Sequence, residues 1–130
     1  MKQHYFMRLI ATALITLILA SAIAFANPSN KWRLQFSGSA HSDGVITIEV
    51  LPVGSDPILV KISIAAGTSE NHVAKTVVEK LRSSLPSEAF HIERDDGEDV
   101  LIKKHHKAAS FDLKIVSNTV KNVRIRPDRE

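Results

Sequence analysis

ILVKISIAAGTSENHVAKTVVEKLRSSLP, residues 58–86, holds the change of period on which the fold turns. In its first part Ile58, Val60, Ile62 and Ile64 alternate with Leu59, Lys61 and Ser63. Successive side chains of a strand point to opposite faces, so this alternation predicts a half-buried strand. After Gly67 the apolar positions become Val73, Ala74, Val77, Val78, Leu81 and Leu85, a spacing that gathers them on one face of a helix. Thr68 or Ser69 is placed to cap the first helical amides, and Glu70 suits the positive end of the helix dipole. Lys80 and Arg82 suit the negative end, and Pro86 cannot continue the helix, which is predicted to stop near Leu85.

Toward the N-terminus the period of two persists. Trp32, Leu34 and Phe36 alternate with Arg33 and Gln35, and Ile46, Ile48 and Val50 alternate with Thr47 and Glu49. The Ser42-Asp43-Gly44 cluster and the stretch from Gly54 to Pro57 carry turn residues, so hairpins are the economical connections among these three strands. Beyond the helix, alternation resumes at Phe90 and Ile92, Val100 and Ile102, Phe111, Leu113 and Ile115, and Val123 and Ile125. Four further strands are predicted.

The element order is therefore βββαββββ, an α+β domain built on a mostly antiparallel sheet of about seven strands with one helix packed on one face. The opposite face is expected to be solvated and to carry Arg33, Glu49, Lys61, Lys114, Arg124 and Arg126. The charged tail from Pro127 to Glu130 is expected to fray. No repeat or linker divides residues 27–130, which read as a single domain.

Residues 1–26 read differently. Lys2 and Arg8 precede the apolar run Leu9 to Ala20, and Ala24-Phe25-Ala26 supplies small residues at a cleavage point between Ala26 and Asn27. A cationic end, an apolar core and small residues in that order make a bacterial export signal, which places the mature chain in the periplasm or outside the cell. The competing reading is a retained anchor, because Leu9 to Ala26 is apolar or small almost throughout. With a cleaved signal the chain meets the membrane only in transit.

Loss of residues 1–26 takes Lys2 and Arg8 from the seventeen basic residues and leaves fifteen against fourteen acidic ones. The mature chain is nearly neutral, so the high isoelectric point does not point to nucleic acid as a partner. The chain has no cysteine. That excludes disulfide staples, thiol oxidoreduction, cysteine hydrolysis and thiolate metal carriage. With one Trp, and its one Tyr at position 5 inside the signal, the mature chain makes a poor stacking platform for sugars or bases.

From Gly44 to Ile125 the chain runs strand, turn, strand, Ala66-Gly67-Thr68-Ser69, a helix bearing alanine and valine, then a hairpin at Asp96-Gly97. This order resembles the small strand-helix-strand modules of flagellin and hook-associated proteins and of phage-tail-like exported subunits. The resemblance implies a module that decorates or stiffens a filament and has no catalytic residues of its own.

Several clusters invite a chemical reading. Lys103, Lys104, His105, His106 and Lys107 form the densest basic run, a candidate site for an anion or an acidic partner whose bland alternative is neutralisation by nearby acids. Histidines at 41, 72, 91, 105 and 106 raise a metal reading, but adjacent His105 and His106 project to opposite sides of an extended segment and no helical i,i+4 pair occurs. Glu93, Asp95, Asp96, Glu98 and Asp99 surround Gly97 without the alternating ligands of a calcium loop, and read as a soluble hairpin tip. His41-Ser42-Asp43 places the residue types of a hydrolytic triad side by side, where they diverge instead of converging.

No catalytic constellation is recognisable, and no cofactor is implied. The leading expectation is a non-enzymatic exported interaction module, an assembly subunit, accessory factor or inhibitor, that binds another exported or envelope protein through a sheet face or edge and could form an oligomer. A periplasmic binding protein for an anionic polymer or metal is the alternative, and a small hydrolase assembled from distant residues is the third.

Overall fold

A computed structural model describes residues 27–130. The signal reading and Ala26 lie outside the described residues, whereas Asn27 is within them. The described chain forms seven strands and one helix: β1 (Lys31–Ser37), β2 (Gly44–Pro52), β3 (Ile58–Ile64), α1 (Glu70–Ser84), β4 (Phe90–Asp95), β5 (Asp99–Lys104), β6 (Phe111–Asn118) and β7 (Arg124–Arg129). This is the order expected from the periodicity, and every strand pairing is antiparallel.

The strands divide into two sheets, β4-β5-β1-β7 and β3-β2-β6. The hairpins β2–β3 and β4–β5 form as the turn residues suggest. The expected hairpin between β1 and β2 does not. β1 lies between β5 and β7 in one sheet and β2 lies between β3 and β6 in the other. Ser39 to Asp43 is therefore a crossing between layers. Its backbone is tied to distant segments, with Ala40 N–H donating to Thr68 O at 2.8 Å and His41 N–H to Lys121 O at 2.9 Å.

The helix touches the edge strands of both sheets, β3 and β4, and also reaches β1 and β5. Its buried face is Val73, Ala74, Val77, Val78 and Leu81, as the 3.6-residue spacing requires. Leu85 is the C-cap, immediately before Pro86. The predicted side-chain N-cap is absent. Ser69 occupies the cap position but its hydroxyl pairs with His72 Nδ1 at 2.8 Å, and Thr68 Oγ1 donates to Ala65 O at 2.7 Å. Both hydroxyls find closer partners than the orphan amides.

The core fills the space between the layers. Leu34 and Phe36 from β1 meet Ile46, Ile48 and Val50 from β2, with Val60, Ile62, Ile102 and Phe111 also buried. Phe90 and Phe111 pack edge to face with centroids 5.1 Å apart. Trp32 Nε1–H donates to Phe111 O at 2.9 Å, so the one indole is buried with its polar handle satisfied. Among the described residues, no helix is long and apolar enough to cross a membrane.

The C-terminal tail does not fray. β7 runs to Arg129, and Glu130 N–H donates to Lys31 O at 3.0 Å, continuing the ladder with β1. Pairing and ion contacts override a local composition that reads as solvated tail.

Candidate interaction surfaces

The two sheets present unlike outer faces. On the β4-β5-β1-β7 sheet, β1 alternates so that Trp32, Leu34 and Phe36 face the core and Arg33 faces out. Arg33 was expected to be solvated, yet it collects three carboxylates. Its Nε contacts Glu130 Oε1 at 2.7 Å, and its Nη1 contacts Asp99 Oδ2 at 2.8 Å and Asp95 Oδ2 at 3.1 Å. Lys31 Nζ adds a contact of 2.6 Å to the other oxygen of Glu130. Hydrogen bonds to Glu130, Asp99 and Asp95 in that order raise the Arg33 pKa above its ordinary value, fixing it as a cation. The same contacts, Arg33 first and Lys31 second, hold the Glu130 carboxyl below its usual range.

Leu101 stands directly opposite Arg33 on the neighbouring strand and opposite Glu93 on the other side. It is buried although it lies on the outer face. Long charged side chains can cover apolar surface with their stems while their heads stay wet. The resulting burial run Asp99 to Ile102 has no period of two, because both faces of β5 are covered.

The basic run is split where β5 ends. Lys103 and Lys104 end β5, and residues 105–107 form the turn that follows. Lys103 Nζ is neutralised by Glu93 Oε1 at 2.8 Å, and Glu93 Oε2 also pairs with His91 Nε2 at 3.2 Å. Lys103 and then His91 hold the Glu93 carboxyl below its ordinary value. Lys104 Nζ donates to His106 O at 3.4 Å. The rings of His91 and His105 lie near one another, with centroids 6.3 Å apart. His105, His106 and Lys107 line a shallow depression with Glu88, Ala89 and Ala108. Sequence reasoning missed His91 as a member of this group because only the β4–β5 register brings it there.

The acidic cluster around Gly97 is likewise divided between partners, with Glu93 to Lys103 and Asp95 and Asp99 to Arg33. Asp95 and Asp99 pair across the hairpin, so its tip holds three residues, with Asp96 and Gly97 in the left-handed region at φ 48° and 80°. Among the described residues, no group of three or more His, Asp or Glu is placed to hold a metal ion. His41, Ser42 and Asp43 each turn to a separate partner. His41 Nε2 lies 3.2 Å from Asn122 Nδ2, Ser42 Oγ accepts from Lys121 N–H at 3.0 Å, and Asp43 Oδ1 accepts from Ala66 N–H at 2.7 Å. They fasten the crossing between sheets.

The outer face of the β3-β2-β6 sheet carries rows of side chains set by register. Leu59, Glu49 and Lys114 form one row, and Lys61, Thr47 and Ser117 form the next. A register shift between Thr47 and Ile48 inserts Val116 between these rows on β6. Val53 at 57 %, Leu59 at 57 % and Val116 at 54 % are the large apolar residues left exposed among those described. All three belong to this sheet or its β2–β3 turn.

Compared with protein-family models the chain matches none, and no curated protein matches it.

Proposed function

We propose that the mature chain is a non-enzymatic exported interaction module, periplasmic or secreted, that binds another exported or envelope protein through the β3-β2-β6 sheet. The observation that carries this reading is the unequal treatment of the two outer faces. Ion-paired side chains close over the one apolar residue on the β4-β5-β1-β7 face, whereas Leu59 and Val116 stay exposed on the other and Val53 in its β2–β3 turn. Exposed apolar side chains gathered on one face are the surface that a protein partner can bury. In this reading the helix, packed on one side of the strands, leaves that face free for docking. An assembly subunit, an accessory factor and an inhibitor all use a site of this kind, and the filament modules it resembles in sequence order belong with the first.

The test is to express the full chain in a bacterial host, recover the exported protein under native conditions and identify what co-purifies by mass spectrometry. A stoichiometric envelope or exported protein is the expected result. A monomer that turns over a hydrolase substrate panel overturns the reading.

A second reading, a binding protein for an anionic polymer or metal, draws on the basic turn. Lys104, His106 and Lys107 have no carboxylate partner among the described residues, and His91 and His105 stand close together. Binding to a polyanion that weakens steeply with added salt, or a bound transition metal on recovery, favours it over the first.

A further inference from the structure

Each sheet has two edges, and the four are not alike. Within a strand the N–H and C=O of successive residues point to alternate sides, so one anchored bond fixes the direction of the rest. On β2 the odd-numbered residues face β6, since Thr119 N–H donates to Val45 O at 3.1 Å and Val53 N–H donates to Ser110 O at 2.9 Å. The even-numbered residues therefore bond β3 through the pairs Ile46–Ile62 and Ile48–Val60. It follows that Leu59, Lys61 and Ser63 aim their backbone donors and acceptors away from the sheet.

Each of the other three edges is blunted at one or more positions. On β4 the outward residues are Phe90, Ile92 and Arg94, and the first two are engaged. Phe90 N–H donates to Pro86 O at 3.1 Å, and Ile92 O accepts from Arg82 Nε of the helix at 2.9 Å. On β6, Phe111 exchanges both its bonds with Ser29, and Leu113 N–H is taken by the carboxylate of Asp112 at 2.8 Å. On β7 the outward positions are Ile125, Pro127 and Arg129, so the one proline of the strand sits where an N–H would otherwise face solvent. Among the described residues nothing hydrogen-bonds the outward backbone of Leu59, Lys61 or Ser63. β3 is also the most apolar of the four, with no acid and no proline. Proteins ordinarily protect such an edge, because it templates pairing with another strand.

We propose that the β3 edge is a strand-addition site that takes an extended segment of a partner protein, with an acidic side chain opposite Lys61 and an apolar one opposite Leu59. This rests on the interaction-module reading and names the surface it uses. Main-chain bonds supply affinity in this mode, and alternate side chains supply specificity. The charge assignment follows from Lys61, which is exposed and has no ion pair among the described residues. A second copy of the chain fits less well, because the self-pairing that uses all three outward residues sets Lys61 against its own copy. Like charges directly opposite destabilise a strand pair.

The test uses the exported protein and a synthetic peptide of about ten residues, a long strand's length, whose one face carries valine and glutamate two residues apart and whose other face carries threonine. Backbone amide exchange is read by NMR. Slowed exchange at Leu59, Lys61 and Ser63, with the outward amides of β4 and β6 unchanged, is the expected result. Ser63→Pro removes one outward N–H while leaving the β2 ladder intact, and should abolish that protection in a protein whose Trp32 fluorescence is native. Lys61→Glu, which has no effect on the ladder, should weaken the peptide about fivefold. Absence of protection, protection at a different edge, or a peptide-free dimer that protects β3 each overturns the proposal. Co-purification separates the two readings. A partner recovered equally with Ser63→Pro and the unaltered protein removes the edge assignment alone, whereas no partner with either removes the interaction module itself.

Discussion

Arg33 on β1 and Glu130 after β7 meet through Nε and Oε1 at 2.7 Å, and this contact anchors the last strand to the middle of the sheet. Arg33 also holds Asp95 and Asp99 and stands opposite the buried Leu101. Arg33→Ala removes the partner of three carboxylates together with the stem beside Leu101, and should cost about 2 kcal/mol. Arg33→Lys keeps the charge without the planar fork and should recover only part of it. Urea unfolding followed by Trp32 fluorescence measures both. An alanine variant within about 0.5 kcal/mol of the parent, the ordinary range for surface changes, contradicts a structural role for the cluster.

The same ion pairs set the acid response. Glu93 and Glu130 are both held below the ordinary value of 4.5 in the folded chain, by Lys103 and His91 and by Arg33 and Lys31 respectively. A carboxyl with a depressed folded pKa binds its proton more readily when unfolded. Its contribution is therefore full above pH 4.5 and is lost as pH falls through the folded value. Stability should decline below that point, and the decline should be shallower in Glu93→Gln and Glu130→Gln. Because both groups are open to solvent, added salt should also flatten it. Urea midpoints across the acid range check the sign, and a steeper decline in the glutamine variants contradicts it.

The periodicity switch at Gly67 made the helix and the strands on either side legible, since apolar spacing reports which face is buried without reference to distant residues. Distribution between sheets was not legible. Gly44 reads as the end of a hairpin turn after β1, and only the contacts of Ala40 and His41 with Thr68 and Lys121 make that segment a crossing. The basic run was visible as composition, but the pairing of Lys103 with Glu93 and the proximity of His105 to His91 depend on the β4–β5 register. Arg33 looked like one more solvated charge, because nothing local connects position 33 to positions 95, 99 and 130. The β3 edge is the intermediate case. Its sequence shows an apolar strand with a single lysine, while its lack of a second neighbour is a property of the whole topology.

Gly38 and Gly54 separate two demands on glycine. Both have positive φ, 87° and 78°, but a Cβ on Gly38 would stand 2.1 Å from Asn122 O, whereas one on Gly54 meets nothing within 4 Å. Gly38 N–H also donates to Glu70 Oε2 at 2.7 Å, tying the end of β1 to the first turn of the helix. Gly54→Ala should cost only the left-handed backbone penalty, about 1 kcal/mol. Gly38→Ala must also move the 118–123 segment, and should cost about 3 kcal/mol or more. Thermal unfolding of the two variants side by side tests this, and equal losses contradict it.

Asn27 connects the expected cleavage point to the folded core. Its backbone nitrogen lies 3.3 Å from Asp112 Oδ2, and the other carboxylate oxygen accepts from Leu113 N–H at 2.8 Å. Asp112 is 5 % exposed, so these donors stand in for water at its carboxylate. A chain that begins at Asn27 carries an α-ammonium at this position, replacing a neutral donor with a charged one. Charge-assisted hydrogen bonds are roughly twice as strong as neutral ones, which gives such a chain an advantage of about 1 kcal/mol over the same chain acetylated at Asn27. The advantage should vanish in Asp112→Asn, where no charge remains to be met. It should also fade as pH rises past about 8, where α-amino groups lose their proton. Urea unfolding of free and acetylated chains, each with Asp112 and with Asn at that position, closes the cycle. Equal stability of the first two means that the residue exposed by cleavage does not lock the fold.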